Sequence, residues 1–256
     1  MSPKSLSLAE VVDLLAASPR TKDAILVGGQ ALNAWAVHYR LKKVTAAVSV
    51  DIDFIGNKAD AIAAGLAWHG QTRVAGLDDH TPNAATVVVQ IEGESHTIDF
   101  LTSVLGIESE KLDKWAVKID VGEHSFRVMH PLHVLVSALE NTYGETLCRR
   151  DGAGGEYYRD RVAVASKVAA AMVMELLNSG KTRAALNAAE FIAALATCTA
   201  GVAAWRRDKL DLLASIPKHA AWPEEFTKTR LPQIREQVEK RRAPRTSAAI
   251  QHNPTS

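Results

Sequence analysis

The strongest constraint on the fold is a change of sequence pattern at residues 126–131. Before it, short β-branched or alternating segments lie between helical ones, whereas after Pro131 the chain is rich in Ala and Leu at helical spacing. Such a change is typical of a mixed sheet with flanking helices that is followed by a helical bundle. We therefore predict an α+β fold, with an α/β domain at residues 1–129 and a helical domain at 130–216.

The remaining segment, residues 217–256, is predicted to be a basic helical extension whose last dozen residues are disordered. Residues 218–245 contain eight Lys or Arg and four Glu. A charge run of this kind is usually a solvated chain end, but it would also attract an RNA backbone.

Hydrophobic periodicity predicts the individual elements. Strands are expected at 24–27, 48–55, 85–91, 96–101, 115–121 and 124–129. Helices are expected at 7–17, 30–40, 58–68, 132–143, 157–178, 183–198 and 202–214. The segment Gly152-Ala-Gly-Gly155 is rich in helix breakers and is predicted to be a loop, because no strand precedes it as a phosphate-binding loop would require.

Composition excludes several classes of protein. The 30 basic and 29 acidic residues give a formal charge of +1, which does not favour a general nucleic-acid coat. No apolar run is long enough to span a bilayer, and no signal sequence is recognisable, so we expect a cytoplasmic protein without membrane contact. The two cysteines, Cys148 and Cys198, have no metal-ligand or disulfide spacing.

Three features of the first domain suggest chemistry. Gly28-Gly29 lies between a predicted strand and helix, where backbone N–H groups can approach a phosphate, although most such pairs are plain turns. Asp51 and Asp53 alternate along a strand and therefore point to one side of it, as Mg²⁺ ligands or as a solvated strand end. Asp99 interrupts an apolar strand, so it either faces solvent or needs a partner or a metal.

The order of these features resembles the layout of the nucleotidyltransferase superfamily (DNA polymerase beta-like). Leu26-Val-Gly-Gly-Gln-Ala-Leu32 and Val48-Ser-Val-Asp-Ile-Asp-Phe54 most closely resemble the abortive-infection nucleotidyltransferase toxins, the AbiEii-like family. The resemblance is closest over 26–54 and looser as far as residue 165. It implies a Mg²⁺-dependent transfer of a nucleotide from a nucleoside triphosphate to an acceptor, with one or two ions and Mn²⁺ as a substitute.

The resemblance also implies the roles of individual residues. Asp51, Asp53 and Asp99 would be the catalytic metal ligands, with Asp99 on the acceptor side. The nucleotide would be bound by the following residues: Gly28, Gly29, Gln30, Ser49, Arg159 and Lys167. Two positions depart from the family pattern, because Gln30 replaces a small hydroxyl residue and Val136-Ser-Ala-Leu-Glu140 lacks the usual Lys.

Three functions remain open from the sequence. The first is a toxin of a toxin–antitoxin or phage-defence pair that modifies a tRNA, another RNA, a protein or a small molecule, with an antitoxin protein as partner. The second is a catalytically silent module of the same fold, which the absent Lys favours. The third is an enzyme that nucleotidylates an aminoglycoside-type antibiotic, since such enzymes share the Gly and Asp layout.

Overall fold

A computed structural model describes residues 6–18, 20–21, 23–42, 51–76, 82–121, 123–144 and 153–243. Its strands are β1 (Ile25–Val27), β2 (Ile52–Ile55), β3 (Gln71–Val74), β4 (Asn83–Ile91), β5 (Glu94–Leu101), β6 (Val117–Val121) and β7 (His124–Val128). Its α-helices are α1 (Leu8–Ala17), α2 (Gly28–His38), α3 (Lys58–Ala67), α4 (Ser109–Trp115), α5 (Pro131–Tyr143), α6 (Ala153–Asn178), α7 (Thr182–Thr197), α8 (Thr199–Asp208) and α9 (Leu231–Arg242). A 3₁₀ turn (Leu212–Ser215) and a π-helical turn (Phe226–Arg230) connect the last helices.

The strands form one mixed sheet of seven strands in the order β3-β4-β5-β2-β1-β7-β6. In its centre, β2 runs antiparallel to β1 and parallel to β5, and β1 runs parallel to β7. The register places Asp53 beside Val27 on one neighbour and beside Asp99 on the other. Residues that are paired in register project from the same face of a sheet, so the two carboxylates share a face.

Local sequence signals explain where several helices begin. Ser7 and Glu10 form a reciprocal capping box at α1, and Asn57 and Asp60 form another at α3. At α5, Pro131 occupies the first turn, where its missing N–H leaves no intrahelical hydrogen bond unmade, and the His130 ring accepts a hydrogen bond from the backbone N–H of Leu132 at 3.2 Å. The predicted passage from strand to helix near residue 131 is therefore a well-capped junction.

Aromatic residues hold one face of the sheet against α1 and α3. Phe54 and Phe100 come from the neighbouring strands β2 and β5, and Trp68 stacks on Phe100 with ring centroids 6.2 Å apart. The Trp68 indole N–H also donates to the Leu14 carbonyl in α1 at 2.6 Å. Because side chains alternate along a strand, Asp53 and Asp99 belong to the opposite face.

The helical half shares its core with the sheet half. Helix α6 is 26 residues long and packs against α2, α5 and α7. The Trp35 indole N–H of α2 donates to the Met129 carbonyl at 2.7 Å, directly before α5 begins. Buried residues of both halves, from Leu26 to Val168 and Ile192, belong to one hydrophobic cluster.

The prediction of an α+β protein with a mixed sheet is confirmed. Within the described residues the structure adds β3 and α4, which the sequence analysis did not predict, and it ends α8 at Asp208. The predicted loop at 152–155 is wrong for Ala153–Gly155, which form the first turn of α6, where glycine disturbs few intrahelical bonds. Residues 48–50 and the last dozen residues lie outside the described ranges.

Within the described ranges, no single helix is long and apolar enough to cross a membrane. Helices α7 and α8 reach the required length and composition only together, and they are bent by 68° at the break between them.

Candidate functional site

The turn between β1 and α2 brings backbone directly against a carboxylate. Gly28 has a φ of +63°, in the left-handed region that favours glycine. A Cβ atom at this position would overlap the Asp53 carboxylate. The residue at the helix cap, Val27, makes no side-chain hydrogen bond to the first turn of α2. Glycine at position 28 therefore lets the backbone of this turn lie close to Asp53.

Asp53 and Asp99 stand side by side on the parallel strands β2 and β5. The Thr86 hydroxyl of β4 donates to Asp99 Oδ1 at 2.6 Å, which holds that carboxylate in place. Asp51 is exposed one residue before β2 and lines the same pocket as Asp53. The structure thus gathers the three predicted acidic residues at one part of the sheet.

The electrostatics of this cluster are unfavourable for Asp53. The pKa of Asp53 is raised from 3.8 to about 6, mainly by burial and then by the negative charges of Asp99 and Asp51, against a lowering effect of Arg161. A carboxylate that is buried beside like charges ionises less readily. A bound cation would relieve this repulsion.

A pocket of about 480 Å³ opens over these residues, between the sheet and helices α5 and α6. Its lining combines Asp51, Asp53 and the Gly28 turn with polar side chains from the helices: Ser137, Asn141, Tyr157, Tyr158 and Arg161. Asp99 is not in the lining, and it lies beside Asp53 on the neighbouring strand. Asn83 and Ser103 add polar groups from the sheet side. The pocket therefore offers both signs of charge and several hydrogen-bonding groups.

Arg161 is the positively charged residue of this pocket. Its Nε is buried and has no hydrogen-bond partner in the part of the chain that the structure describes. Its guanidinium lies 5.7 Å from the centre of the Tyr157 ring. A buried donor without a partner is costly, so this side chain is suited to receive an anionic ligand.

The two basic residues predicted for nucleotide binding lie elsewhere. Arg159 donates to Asp208 at 3.1 Å, and that carboxylate also accepts a hydrogen bond from the Tyr143 hydroxyl at 2.7 Å. Lys167 is exposed on α6 and does not line the pocket. The structure therefore places Arg161, rather than Arg159 or Lys167, beside the carboxylates.

The residues predicted around the glycines have mixed positions. Gly28 lines the pocket, while Gly29 is buried in the first turn of α2. Gln30 is completely buried, and its side-chain oxygen accepts a hydrogen bond from Asn33 at 3.3 Å. Ser49 lies outside the described residues.

Carboxylate oxygens are the ligands that Mg²⁺ prefers, and one or two carboxylates plus substrate phosphates usually suffice. The donor pair Asp53 and Asp99 fits this requirement, because the two residues are paired in register and the charge of Asp99 raises the pKa of Asp53. Within the described residues, however, no three His, Cys, Asp or Glu side chains form a group that could hold a metal by themselves. The site thus fits a cation that is shared with a phosphate ligand.

The resemblance pointed to Arg159 and not to Arg161, which lies two residues further along the chain. Residues two positions apart on a helix point in different directions, so these two arginines cannot serve one site. Arg161 lies on the same helix face as Ala165 and Val168, which are both buried. This spacing in the sequence indicated that Arg161 faces the inside of the protein. The tyrosines and Asn83 carried no comparable signal.

Comparison of the chain with protein-family models, curated proteins and solved structures finds no match. Function is therefore inferred from the geometry and chemistry of the site.

Proposed function

We propose that the protein is a Mg²⁺-dependent nucleotidyltransferase that transfers a nucleoside monophosphate from a nucleoside triphosphate to an acceptor. The observation that carries the proposal is the position of Asp53, which lies between Asp99 and the Gly28 turn in a pocket that also holds Arg161. Carboxylates, backbone N–H groups at the start of a helix and an arginine are the groups that a metal-bound triphosphate requires.

The proposed fold assignment agrees with this site. The strand before the glycines, the strand of Asp53 and the strand of Asp99 are adjacent in the sheet, in the order β5-β2-β1. The resemblance drawn from the sequence implies a nucleotidyltransferase-type sheet with a helical second half. The adjacency of these three strands supports that arrangement.

Each residue has a defined role in the proposed reaction. Asp53 and Asp99, with Asp51 beside them, would hold Mg²⁺, which would neutralise charge on the triphosphate and favour departure of pyrophosphate. The backbone of Gly28 and Gly29 contacts phosphate oxygens, and Arg161 pairs with another part of the triphosphate. The acceptor hydroxyl oxygen forms a bond to the α-phosphorus. At the same time the bond breaks between that phosphorus and the oxygen that joins it to the β-phosphorus. Asp99 orients the acceptor and takes up its proton.

The biological setting follows from the resemblance alone. We propose a toxin of a toxin–antitoxin or phage-defence pair, with a tRNA or another RNA as the first acceptor to test. Proteins and small molecules, including aminoglycosides, are the next acceptors. A cognate antitoxin would be the protein partner.

A second candidate keeps nucleotide binding without catalysis. Two observations favour it: the described residues contain no group of three metal ligands, and α5 has no Lys at 136–140, where the resembled family usually has one. In that case the pocket would bind a nucleotide and the protein would act as a regulatory module. Turnover separates the two candidates.

The test measures transfer of label from each α-³²P nucleoside triphosphate, with Mg²⁺, into total tRNA and then into protein and small-molecule acceptors. We expect label in one acceptor and a loss of at least about a hundredfold in Asp53→Asn, because one metal ligand and charge is removed. The matched control is Asp23→Asn, an exposed position just before β1 that does not line the pocket. Nucleotide binding without transfer to any acceptor would favour the silent module, and absence of both would contradict the proposal.

A further inference from the structure

A second cavity, of about 800 Å³, lies away from the carboxylates. It is enclosed by α2, α4, β6 and the start of α5 on one side and by the end of α6 and α7 on the other. Its volume is within the range of small-molecule sites, and the carboxylate pocket is smaller, at about 480 Å³. The proposed transferase reaction makes no use of it.

Aromatic rings form two walls of this cavity. On α2, Trp35 and Tyr39 stack with centroids 5.7 Å apart and ring planes 19° apart. In α4, Trp115 stacks on His133 at 5.0 Å with an angle of 9° between the ring planes, and Phe191 of α7 lies 6.4 Å from Trp115. Trp115 nevertheless remains 38% exposed, which is unusual for so large an apolar side chain. Trp35 is itself buried, so Tyr39, Trp115 and Phe191 are the rings that can contact a ligand.

The charges around the cavity are mostly positive. Lys114, Lys118 and Lys181 line it, and none of the three forms an ion pair within the described residues. Of the acidic residues, Glu175 already accepts a hydrogen bond from the Tyr39 hydroxyl at 3.1 Å, and Asp120 is the other one in the lining. Three lysines against two carboxylates leave the lining with a net positive charge, which favours a negatively charged occupant.

We propose that this cavity is a second ligand site, which binds a planar aromatic molecule carrying a negative charge. The ring system contacts Tyr39, Trp115 and Phe191, and the acidic group faces the lysines. Aromatic rings favour offset or edge-to-face contacts of the kind that these side chains already make with one another. An aromatic carboxylic acid and a nucleotide both have the required chemistry, and the test below distinguishes them.

The test uses three probes of the same shape and different charge: 2-naphthoate, 2-naphthylmethanol and 2-naphthylmethylammonium. Their binding to the full chain is measured by calorimetry and by tryptophan fluorescence. We expect naphthoate to bind about tenfold more tightly than the alcohol, and the ammonium to bind most weakly. AMP is then added to the complex with naphthoate. Displacement of naphthoate by AMP would identify a nucleotide as the occupant, and no displacement would identify an aromatic acid.

Variants assign the two parts of the site. Trp115→Ala is expected to weaken all probes about tenfold, and Trp115→Phe to restore most of the binding because it keeps a ring. The triple change Lys114→Gln, Lys118→Gln and Lys181→Gln should remove the preference for naphthoate and leave binding of the alcohol intact. A matched triple change at exposed lysines elsewhere, Lys58→Gln, Lys228→Gln and Lys240→Gln, should alter neither.

The same measurement separates this site from the proposed transferase site. Asp53→Asn should leave naphthoate affinity unchanged, whatever its effect on nucleotide transfer. Thermal unfolding of each variant checks that it is folded. No binding of naphthoate at millimolar concentration, equal affinity for the three probes, or unchanged binding in folded Trp115→Ala would overturn the proposal.

Discussion

The carboxylate pocket and the aromatic cavity differ in the charges and hydrogen-bond partners that surround their polar groups. In the carboxylate pocket, Asp53 is half-buried beside two other acidic residues, and Arg161 keeps a buried Nε without a partner among the described residues. In the aromatic cavity, the Tyr39 hydroxyl donates to Glu175 and the Trp35 indole N–H donates to the Met129 carbonyl. The first pocket places like charges beside one another, whereas in the second the polar groups of the Tyr39 and Trp35 rings both have hydrogen-bond partners.

The same two helices supply both regions. Helix α2 begins at Gly28 beside Asp53 and carries Trp35 and Tyr39 to the aromatic cavity near its other end. Helix α6 likewise presents Arg161 to the carboxylates and Glu175 to the cavity. Since the scaffold is shared, the difference lies in the side chains. Where repulsion between charged side chains remains in the folded protein, a ligand of opposite charge would add stability.

The largest expected effect on stability concerns Asp53→Asn. A tenfold change in an acid constant corresponds to about 1.4 kcal/mol, so a pKa moved from 3.8 to about 6 destabilises the ionised folded protein by about 3 kcal/mol at pH 7. Because the folded-state pKa is raised, the stability linked to this group is complete below pH 4 and lost as the pH rises through 6. Asn removes the charge, so we expect Asp53→Asn to be more stable than the wild type at pH 7 without metal.

Chemical denaturation at several pH values measures this effect. The wild type should lose stability between pH 4 and pH 7 relative to Asp53→Asn, and Mg²⁺ should stabilise the wild type alone. A variant that is less stable than the wild type at pH 7 would contradict the described repulsion.

A somewhat smaller effect is expected for Gly28→Ala. Alanine at a φ of +63° is strained, and its Cβ would displace the Asp53 carboxylate. We therefore expect the free energy of unfolding to fall by about 2 kcal/mol and nucleotide binding to be lost. Gly180→Ala is a matched control, since Gly180 has a φ of +69° and no atom within 4 Å of an added Cβ. It should cost about 1 kcal/mol, from strain alone. Equal losses of stability in the two variants would exclude a close contact with Asp53.

The smallest expected effect comes from a pair of arginines on α6. Arg161→Gln should weaken binding of a nucleoside triphosphate about tenfold, because one charge-assisted contact to phosphate is lost. Arg159→Gln should leave that affinity unchanged and lower the melting temperature, because Asp208 loses a hydrogen-bond donor. Calorimetric titration of both variants makes the comparison. Weaker binding in Arg159→Gln alone would reverse the assignment.

Much of the sheet half could be predicted from the sequence, because its strands alternate clearly and its turns contain glycine. The hairpin of β4 and β5 and the strand that ends at Gly28 are examples. The pairing of Asp53 with Asp99 could not be predicted, since it depends on β5 lying next to β2 across a long connection. Periodicity gives the face of a strand but not its neighbour.

Other features were missed for local reasons. Strand β3 is a four-residue edge strand with largely exposed side chains, so it carries no hydrophobic pattern. The first turn of α6 contains two glycines, which a propensity argument assigns to a loop. The aromatic cavity combines residues from α2, α4, β6, α5, α6 and α7, and no single stretch of sequence displays it.

The most direct test of the carboxylate site is a ¹³C NMR titration of the aspartate carboxyl groups, with and without Mg²⁺, with the Asp53 signal assigned through Asp53→Asn. We expect Asp53 to titrate with a pKa of about 6 in the absence of metal, and at clearly lower pH when Mg²⁺ is bound. An Asp53 that titrates at its ordinary pKa and does not respond to Mg²⁺ would contradict the account.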